Sequence, residues 1–405
     1  MHGRREAVAS KARKSAGFCL LVALGCVLSL ALQASLSLYS FKEDLPIEEE
    51  GVPSSNEELK ALIRLVVSRY GAGFTKHDIK FTGAWNRKRL AEDLPMLEEA
   101  GFHIEPIHFY GAIPRISSIN WQKLPKTLPG VHIDAEYLLS EVRRITTDEC
   151  YKAFQQLPKS SKDASFSYEY HHSLGFTNPA DAQFQFCLLL HVKPRRMIEI
   201  GSGVTTRLSA AALSFNAKIT GHACNFTAIE PYPNRILRDG VPRLTTLLEK
   251  KVEDVPIEFF QELQAGDVLF IDSSHVLRLG NDVFFEYLHI LPQLKEGIYV
   301  HVHDIFWPEH YTRGMYAQEG RFYTEQYLLQ TFLSQNERWQ LIYAGNLLNK
   351  RYHQRWLRAI RHDTQPPPRS ILADAQRTSL NIGDALADTY RRSRSVTLWM
   401  VSKNS

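Results

Sequence analysis

Residues 196–203 read Arg-Met-Ile-Glu-Ile-Gly-Ser-Gly, and residues 204–213 continue Val-Thr-Thr-Arg-Leu-Ser-Ala-Ala-Ala-Leu. A short apolar run closed by glycines is a buried strand, expected over Arg196–Ile200. The small-residue stretch behind it is a helix, expected over Thr205–Phe215. Gly201 and Gly203 allow a tight turn between the two and a close approach to backbone. A dinucleotide fingerprint requires a third glycine three positions on. Thr206 stands there, which counts against a pyrophosphate-binding dehydrogenase.

Working outward, strand and helix patterns alternate. A helix is expected over Ala180–His191 and a strand over Asn225–Glu230. A helix follows over Pro233–Leu248, then a strand over Asp267–Asp272. Asn281–Leu291 reads as a helix, Gly297–Asp304 as a strand and Phe322–Ser334 as a helix. Gln340–Ala344 and Val396–Val401 are the final strands, separated by a polar excursion around Gln365–Pro368. This alternation predicts an α/β fold, a Rossmann-like and mostly parallel sheet with helices on both faces.

In open α/β sheets, ligands sit beyond the carboxyl ends of the strands. Here those ends carry Glu199 with Gly201 and Gly203, then Glu230, Asp272 and Asp304. An acid such as Glu230 suits a ribose diol. Asp272 and Asp304, on adjacent strands, form an oxygen pair that suits Mg²⁺ or another divalent cation. His275 has the pKa expected of a general base working beside Asp272. His301 and His303 share one strand face, and Asp304 points to the other. Trp307, Pro308 and Tyr311 form an aromatic loop that reads equally as substrate wall and as packing. Tyr168, Tyr170, His171 and His172 read as an N-terminal flap or a cap on the cofactor pocket.

Several stretches together resemble a known family. They are IEIGSGVTTRLSAAAL (198–213), TAIEPYP (227–233), EDVPIEFFQELQAGDVLFIDSSHV (253–276) and GIYVHVHDIFWPEHY (297–311). The chain is similar to bacterial class I S-adenosylmethionine-dependent methyltransferases of the "methyltransferase 24" type. The likeness runs on through GRFYTEQYLLQTFL (320–333) to TLWMVSK (397–403), and more loosely takes in LEEAGFHIEPIHFYGAIP (97–114). The resemblance implies Glu199, Gly201 and Gly203 near the methionine end of S-adenosylmethionine, Glu230 on its ribose and Asp254 near its adenine amino group. It implies methylation of an oxygen on a small molecule or glycan. The Asp272/Asp304 pair looks like the catechol O-methyltransferase metal arrangement, but that pattern has Asp-Asn where this chain has Asp304-Ile305. Two other readings share the scaffold: a non-catalytic, membrane-tethered module, and a metal-dependent oxidation.

The rest of the 405-residue chain bounds its setting. With 44% hydrophobic and 23% charged residues, it can bury a substantial core. A net charge of +4 supplies no electrostatic footprint for nucleic acid. The local cluster Arg351, His353, Arg355, Arg358, Arg361 and His362 reads as a solvated helix face. Residues 1–40 hold Arg4, Arg5, Lys11, Arg13 and Lys14, then an apolar run over Gly17–Leu32 that weakens to Leu38. This is a basic tail followed by a single membrane span, a cleaved signal or an interfacial helix. The charge step favours the N-terminus inside, which puts the bulk of the chain across the membrane from the cytosol, where S-adenosylmethionine is made. Residues 41–150 form a linker and accessory region, with helices expected over Asn56–Tyr70, Arg87–Gly101 and Asp134–Gln156. Residues 151–405 form the methyltransferase-like domain. The five cysteines, odd in number and without a CxxC pair, read as buried free thiols.

Overall fold

A computed structural model describes residues 111–174, 178–221, 223–361 and 396–403, with Leu94, Pro95, Glu98 and His103. The chain divides into two units, residues 1–121 with 312–321, and residues 122–311 with 322–405. In the first, Leu94, Pro95 and Glu98 are helical, inside the expected helix Arg87–Gly101. Trp121 packs edge-on against Tyr316 of the short helix Arg313–Ala317. The expected helix Asn56–Tyr70 and the apolar N-terminal run lie outside the described residues. Among the described residues, no helix is long and apolar enough to cross a membrane.

The second unit is built on one seven-stranded sheet. Its strands are β1 Arg196–Ile200, β2 Asn225–Ile229, β3 Leu244–Leu248, β4 Val268–Ile271, β5 Tyr299–Val302, β6 Trp339–Ala344 and β7 Leu398–Ser402. They lie in the order β3-β2-β1-β4-β5-β7-β6. The first five run parallel, and β7 lies antiparallel to both β5 and β6. The dinucleotide-binding order has β6 directly beside β5; here β7 is inserted between them. The strand order switches sides between the parallel neighbours β1 and β4, so the crevice lies beyond their carboxyl ends.

Met197, Ile198, Phe226, Ala228, every residue of β4, Val300 and Val302 are buried. This two-sided burial is why these strands read as largely apolar runs rather than as alternating ones. The helix Pro179–Val192 is likewise buried around most of its circumference. It starts at Asn178, whose side chain accepts from Ala180 N, with Pro179 in the first turn where no donor is missed. On the helix Gly345–Ile360, Arg351, Arg355 and Arg358 are exposed as expected of a solvated face, His353 and the following Arg361 are half-buried, and Trp356, Leu357 and Ile360 turn inward; His362 lies outside the described residues.

Three expectations are corrected. Asp134–Gln156 is two helices, Ala135–Ile145 and Asp148–Gln155. The Thr146 hydroxyl bonds back to a carbonyl of the first, and Thr147 caps the second by accepting from Cys150 N. Pro233–Leu248 forms only the short helix Arg235–Asp239 before the edge strand β3. Gly240 takes φ +103°, Pro242 lacks a donor, and Thr245 and Thr246 favour extended backbone. Finally, Cys150 and Cys187 form a disulfide with their Cα atoms 5.6 Å apart, normal geometry for the bond. It ties the helix Asp148–Gln155 to the helix Pro179–Val192, a proximity that spacing along the chain does not reveal. Cys224 remains a buried free thiol, pushed up to about 12 by burial.

Candidate active site at the rim of β1, β4 and β5

The parallel ladder runs one residue past each strand. Glu230 N donates to Leu248 O, Gly201 N to Ile229 O, Asp272 N to Ile200 O and His303 N to Ile271 O, all at 2.9–3.0 Å. These bonds set Glu230, Gly201, Asp272 and His303 on one rim. Gly201 has φ +78°, and a Cβ added to it would lie 1.9 Å from the Asp272 carbonyl oxygen. Its glycine is therefore required by the close approach of the β1 turn to the β4 exit. Gly203 differs, since a Cβ there meets nothing within 4 Å. That turn is open on the side where a ligand would lie.

On the β1–β2 side, Glu199 is fully buried. Its Oε1 accepts from the Thr205 hydroxyl at 2.6 Å, and its Oε2 has no partner. Burial pushes its carboxyl up to about 8, against the pull of the Thr205 and Thr206 hydroxyls. Glu230 accepts from Ser202 N at 3.2 Å and Tyr232 N at 2.8 Å, which orients its carboxylate on the turn. Asp254 closes a short 3₁₀ turn after β3 and is exposed. Arg207 holds the preceding segment in place by donating to the carbonyls of Tyr168 and Glu169.

On the β4–β5 side, two imidazoles stand between two carboxylates. His275 Nε2 lies 3.4 Å from Asp272 and 3.6 Å from Asp304, and His303 Nδ1 lies 3.5 and 3.4 Å from the same pair. His275 (φ +60°) and Asp304 (φ +53°) are both left-handed, a conformation rare outside glycine. That φ swings the Asp304 carboxylate back toward His303, contrary to the opposite faces expected from strand alternation. Burial lowers the affinity of both imidazoles for protons, but the carboxylates outweigh it. His275 is held well above its usual range and His303 at about 9. Burial likewise works against the charge on Asp272 and Asp304, yet the imidazoles hold both carboxyls below their usual value.

His301 does not join them. It stacks on Phe270 at 3.8 Å and meets Trp399 edge-on, and burial drives its pKa well below the usual value. Trp307 and Tyr311 are core residues rather than an open wall. The Trp307 indole donates to Gln326 O, and the Tyr311 hydroxyl accepts from Gln326 N.

The side chains do not fit the expected cation. The two carboxylates face imidazoles rather than a shared open point, and Ile305 is buried apolar packing. Among the described residues, no group of three or more His, Cys, Asp or Glu is disposed to hold a metal ion.

Sequence reading missed Glu325 and Tyr287. Glu325 accepts from His275 Nδ1 at 2.7 Å and from the Tyr287 hydroxyl at 3.0 Å. Its signal was an acid in phase with Leu329 and Leu333 on a buried helix face. Glu286, also buried, accepts from Ser273 Oγ. Burial first, then Glu325 beside it, raises the Glu286 carboxyl well above its usual value. Glu286 and Tyr287 open a π turn, Glu286–Ile290, ahead of Pro292, which cannot donate the regular helical bond.

Residues 198–305 match the family model described as a methyltransferase domain. An uncharacterized protein of Archaeoglobus fulgidus is 27% identical over 175 residues, covering 41% of this chain and 76% of that protein. A solved structure is similar over 42% of this chain and 84% of its own, at 15% identity and a TM-score of 0.27. It is a putative protein-L-isoaspartate O-methyltransferase from Plasmodium falciparum in complex with S-adenosyl-L-homocysteine. The matched stretch runs from β1 past β5 and contains both sides of the rim. Over that stretch the chain is similar to a methyltransferase domain, carried here on a mostly parallel sheet. The matched stretch holds the paired imidazoles of His275 and His303, and Ile305 follows the β5 acid.

Proposed function

We propose that the chain binds S-adenosylmethionine over the β1–β2 side of the crevice and methylates an oxygen of a small molecule or glycan at the β4–β5 side. The observation that carries this reading is the division of one rim into two halves. One half has an orphaned buried acid oxygen on Glu199 and the open turn at Gly203; the other has the Asp272–His275–His303–Asp304 cluster. Glu199 would meet the cofactor's ammonium group, Glu230 its ribose and Asp254 its adenine. Bound there, the cofactor supplies an electrophilic methyl group.

The chain's own task is then to place a hydroxyl in line with that methyl and remove its proton. His275 Nε2 is the group placed to take the proton. Because the carboxylates keep it charged, its base form grows as pH rises, and turnover should climb into the alkaline range. Asp272 would keep the imidazole facing the crevice. We also propose that the disulfide and the basic-then-apolar N-terminus belong together, in a membrane-anchored chain whose domain lies in an oxidising compartment.

The test is calorimetry of the full chain with S-adenosylmethionine, followed by transfer of labelled methyl to small-molecule and glycan fractions. We expect binding that Glu230→Ala weakens, and transfer that His275→Ala removes while binding persists. A folded chain that binds no cofactor would overturn the reading.

A further inference from the structure

The left-handed turn after β4 leaves His275 attached to the rest of the molecule at both ends of its own residue. Its carbonyl accepts from Thr324 N at 2.8 Å and Glu325 N at 3.1 Å. Its ring Nδ1 meets the Glu325 carboxylate at 2.7 Å. The first turn of the helix Glu325–Leu333 thus grips main chain and side chain together. Glu325 is fully buried and fixed in turn by the Tyr287 hydroxyl, which burial keeps protonated and hence a donor.

We propose that Glu325 is the positioning residue of this site: by holding Nδ1 it fixes the His275 ring so that Nε2, and only Nε2, is presented to the crevice between Asp272 and Asp304. The proposal rests on the reading of His275 as the proton acceptor. An imidazole has two nitrogens, and which one carries the proton is set by the partner of the other. A carboxylate on Nδ1 keeps the proton there and leaves Nε2 to exchange protons with substrate. The groups facing His275 are Glu325 on Nδ1, Asp272 and Asp304 on Nε2, and the Tyr323 ring at 4.7 Å. His303 stands across the carboxylates, and buried Glu286 interacts electrostatically with both Glu325 and His275. Glu325 meets the ring nitrogen opposite the one that faces Asp272 and Asp304, so its charge acts on His275 from the far side of the ring.

The experiment compares the full-length wild type with Glu325→Gln, Glu325→Asp and Tyr287→Phe. Two readouts are used: the pH profile of methyl transfer, and titration of isotope-labelled histidine followed by NMR, with His275 assigned from His275→Asn. In Glu325→Gln the His275 midpoint should fall by about one pH unit or more. The rising limb of turnover should move to lower pH with it, and kcat should fall by roughly 10²–10⁴-fold at unchanged cofactor affinity. Glu325→Asp should restore part of both. Should the glutamine variant not fold, Tyr287→Phe, which frees the carboxylate but keeps its charge, should lower kcat with a smaller shift in midpoint. An unmoved midpoint in a folded glutamine variant, or turnover abolished by a chelator and restored only by a divalent cation, would overturn the proposal. The titration needs no turnover, so it decides the role of Glu325 even if the methyltransferase reading fails.

Discussion

Glu199→Gln should make this protein more stable, and only above mildly acidic pH. In the folded chain burial holds the Glu199 carboxyl at about 8, against an ordinary 4.5. Above 4.5 the unfolded chain releases this proton and the folded chain does not. Stability is therefore full below 4.5, falls as pH rises, and levels off only past 8. At about 1.36 kcal/mol per unit, the gap of about 3.5 units sets a ceiling of about 5 kcal/mol on the loss. Glutamine copies the protonated acid. Its carbonyl can still accept from the Thr205 hydroxyl, and its amide takes the place of the unpartnered Oε2. Urea denaturation at pH 5 should thus find variant and wild type within about 1 kcal/mol of each other. At pH 8 the variant should lead by several kcal/mol. His303, held at about 9, adds a further loss between its ordinary value and 9. That loss occurs in both proteins and cancels in the comparison apart from the Coulombic pull between His303 and Glu199. A variant-to-wild-type difference that stays constant from pH 5 to 8 would refute the reasoning. The same acid bears on ligand binding: if Glu199 receives the cofactor's ammonium group it must ionise, so binding near pH 7 should release about one proton. Calorimetry in buffers of different ionisation enthalpy reads that proton directly, and Glu199→Gln should abolish it.

Gly201→Ala and Gly203→Ala should separate structure from ligand space. The first puts a Cβ 1.9 Å from the Asp272 carbonyl in left-handed backbone and should cost about 3 kcal/mol or more, seen as a lower Tm. The second meets no protein atom and should leave Tm within a few degrees while weakening S-adenosylmethionine binding in calorimetry; equal effects of the two on stability would contradict the assignment. Cys150→Ser opens a bond spanning 37 residues and should cost roughly 3–4 kcal/mol in urea, a difference that reductant removes.

The buried centre of this fold is legible in the sequence because two-sided burial leaves an unmistakable trace. Strands β1, β2, β4 and β5 are mainly apolar runs, interrupted at Glu199, Thr227 and His301 and followed within two residues by an acid or a glycine, and their expected bounds fall within a residue or two of those observed. The edge is not legible in this way. Strand β3 is half exposed, so Leu244–Leu248 lacks the apolar run and sits in a stretch whose spacing also suits a helix. The site divides along the same line. The acids at the strand ends are brought to one rim, as their positions implied. The partner of His275 lies 50 residues further on, on another helix, and only the phase of Glu325 with Leu329 and Leu333 hinted at its burial. The disulfide was hidden for a similar reason. An odd count of scattered thiols gives no pairing until two helices set Cys150 beside Cys187.

The exits of β1, β4 and β5 show why the chemistry of the rim is harder to read than its existence. Each bends through a left-handed residue: Gly201, His275 and Asp304. At β1 the residue is glycine, which announces the bend in the sequence. At β4 and β5 it is a histidine and an aspartate, which pay about 1 kcal/mol or more each for the same bend and give no sign of it. Strand alternation, carried past the last paired residue, would aim Asp304 away from His303. The left-handed turn cancels that alternation and brings both onto Asp272 and His275. The strain is held in place by the contacts it makes possible: the carboxylate–imidazole cluster in front, and the Glu325 helix that accepts the His275 turn behind. A glycine at either position would relax the backbone and lose the side chain that the bend exists to aim. The costly conformation and the carboxylate–imidazole cluster are therefore one feature, and neither can be assigned from residue identities alone.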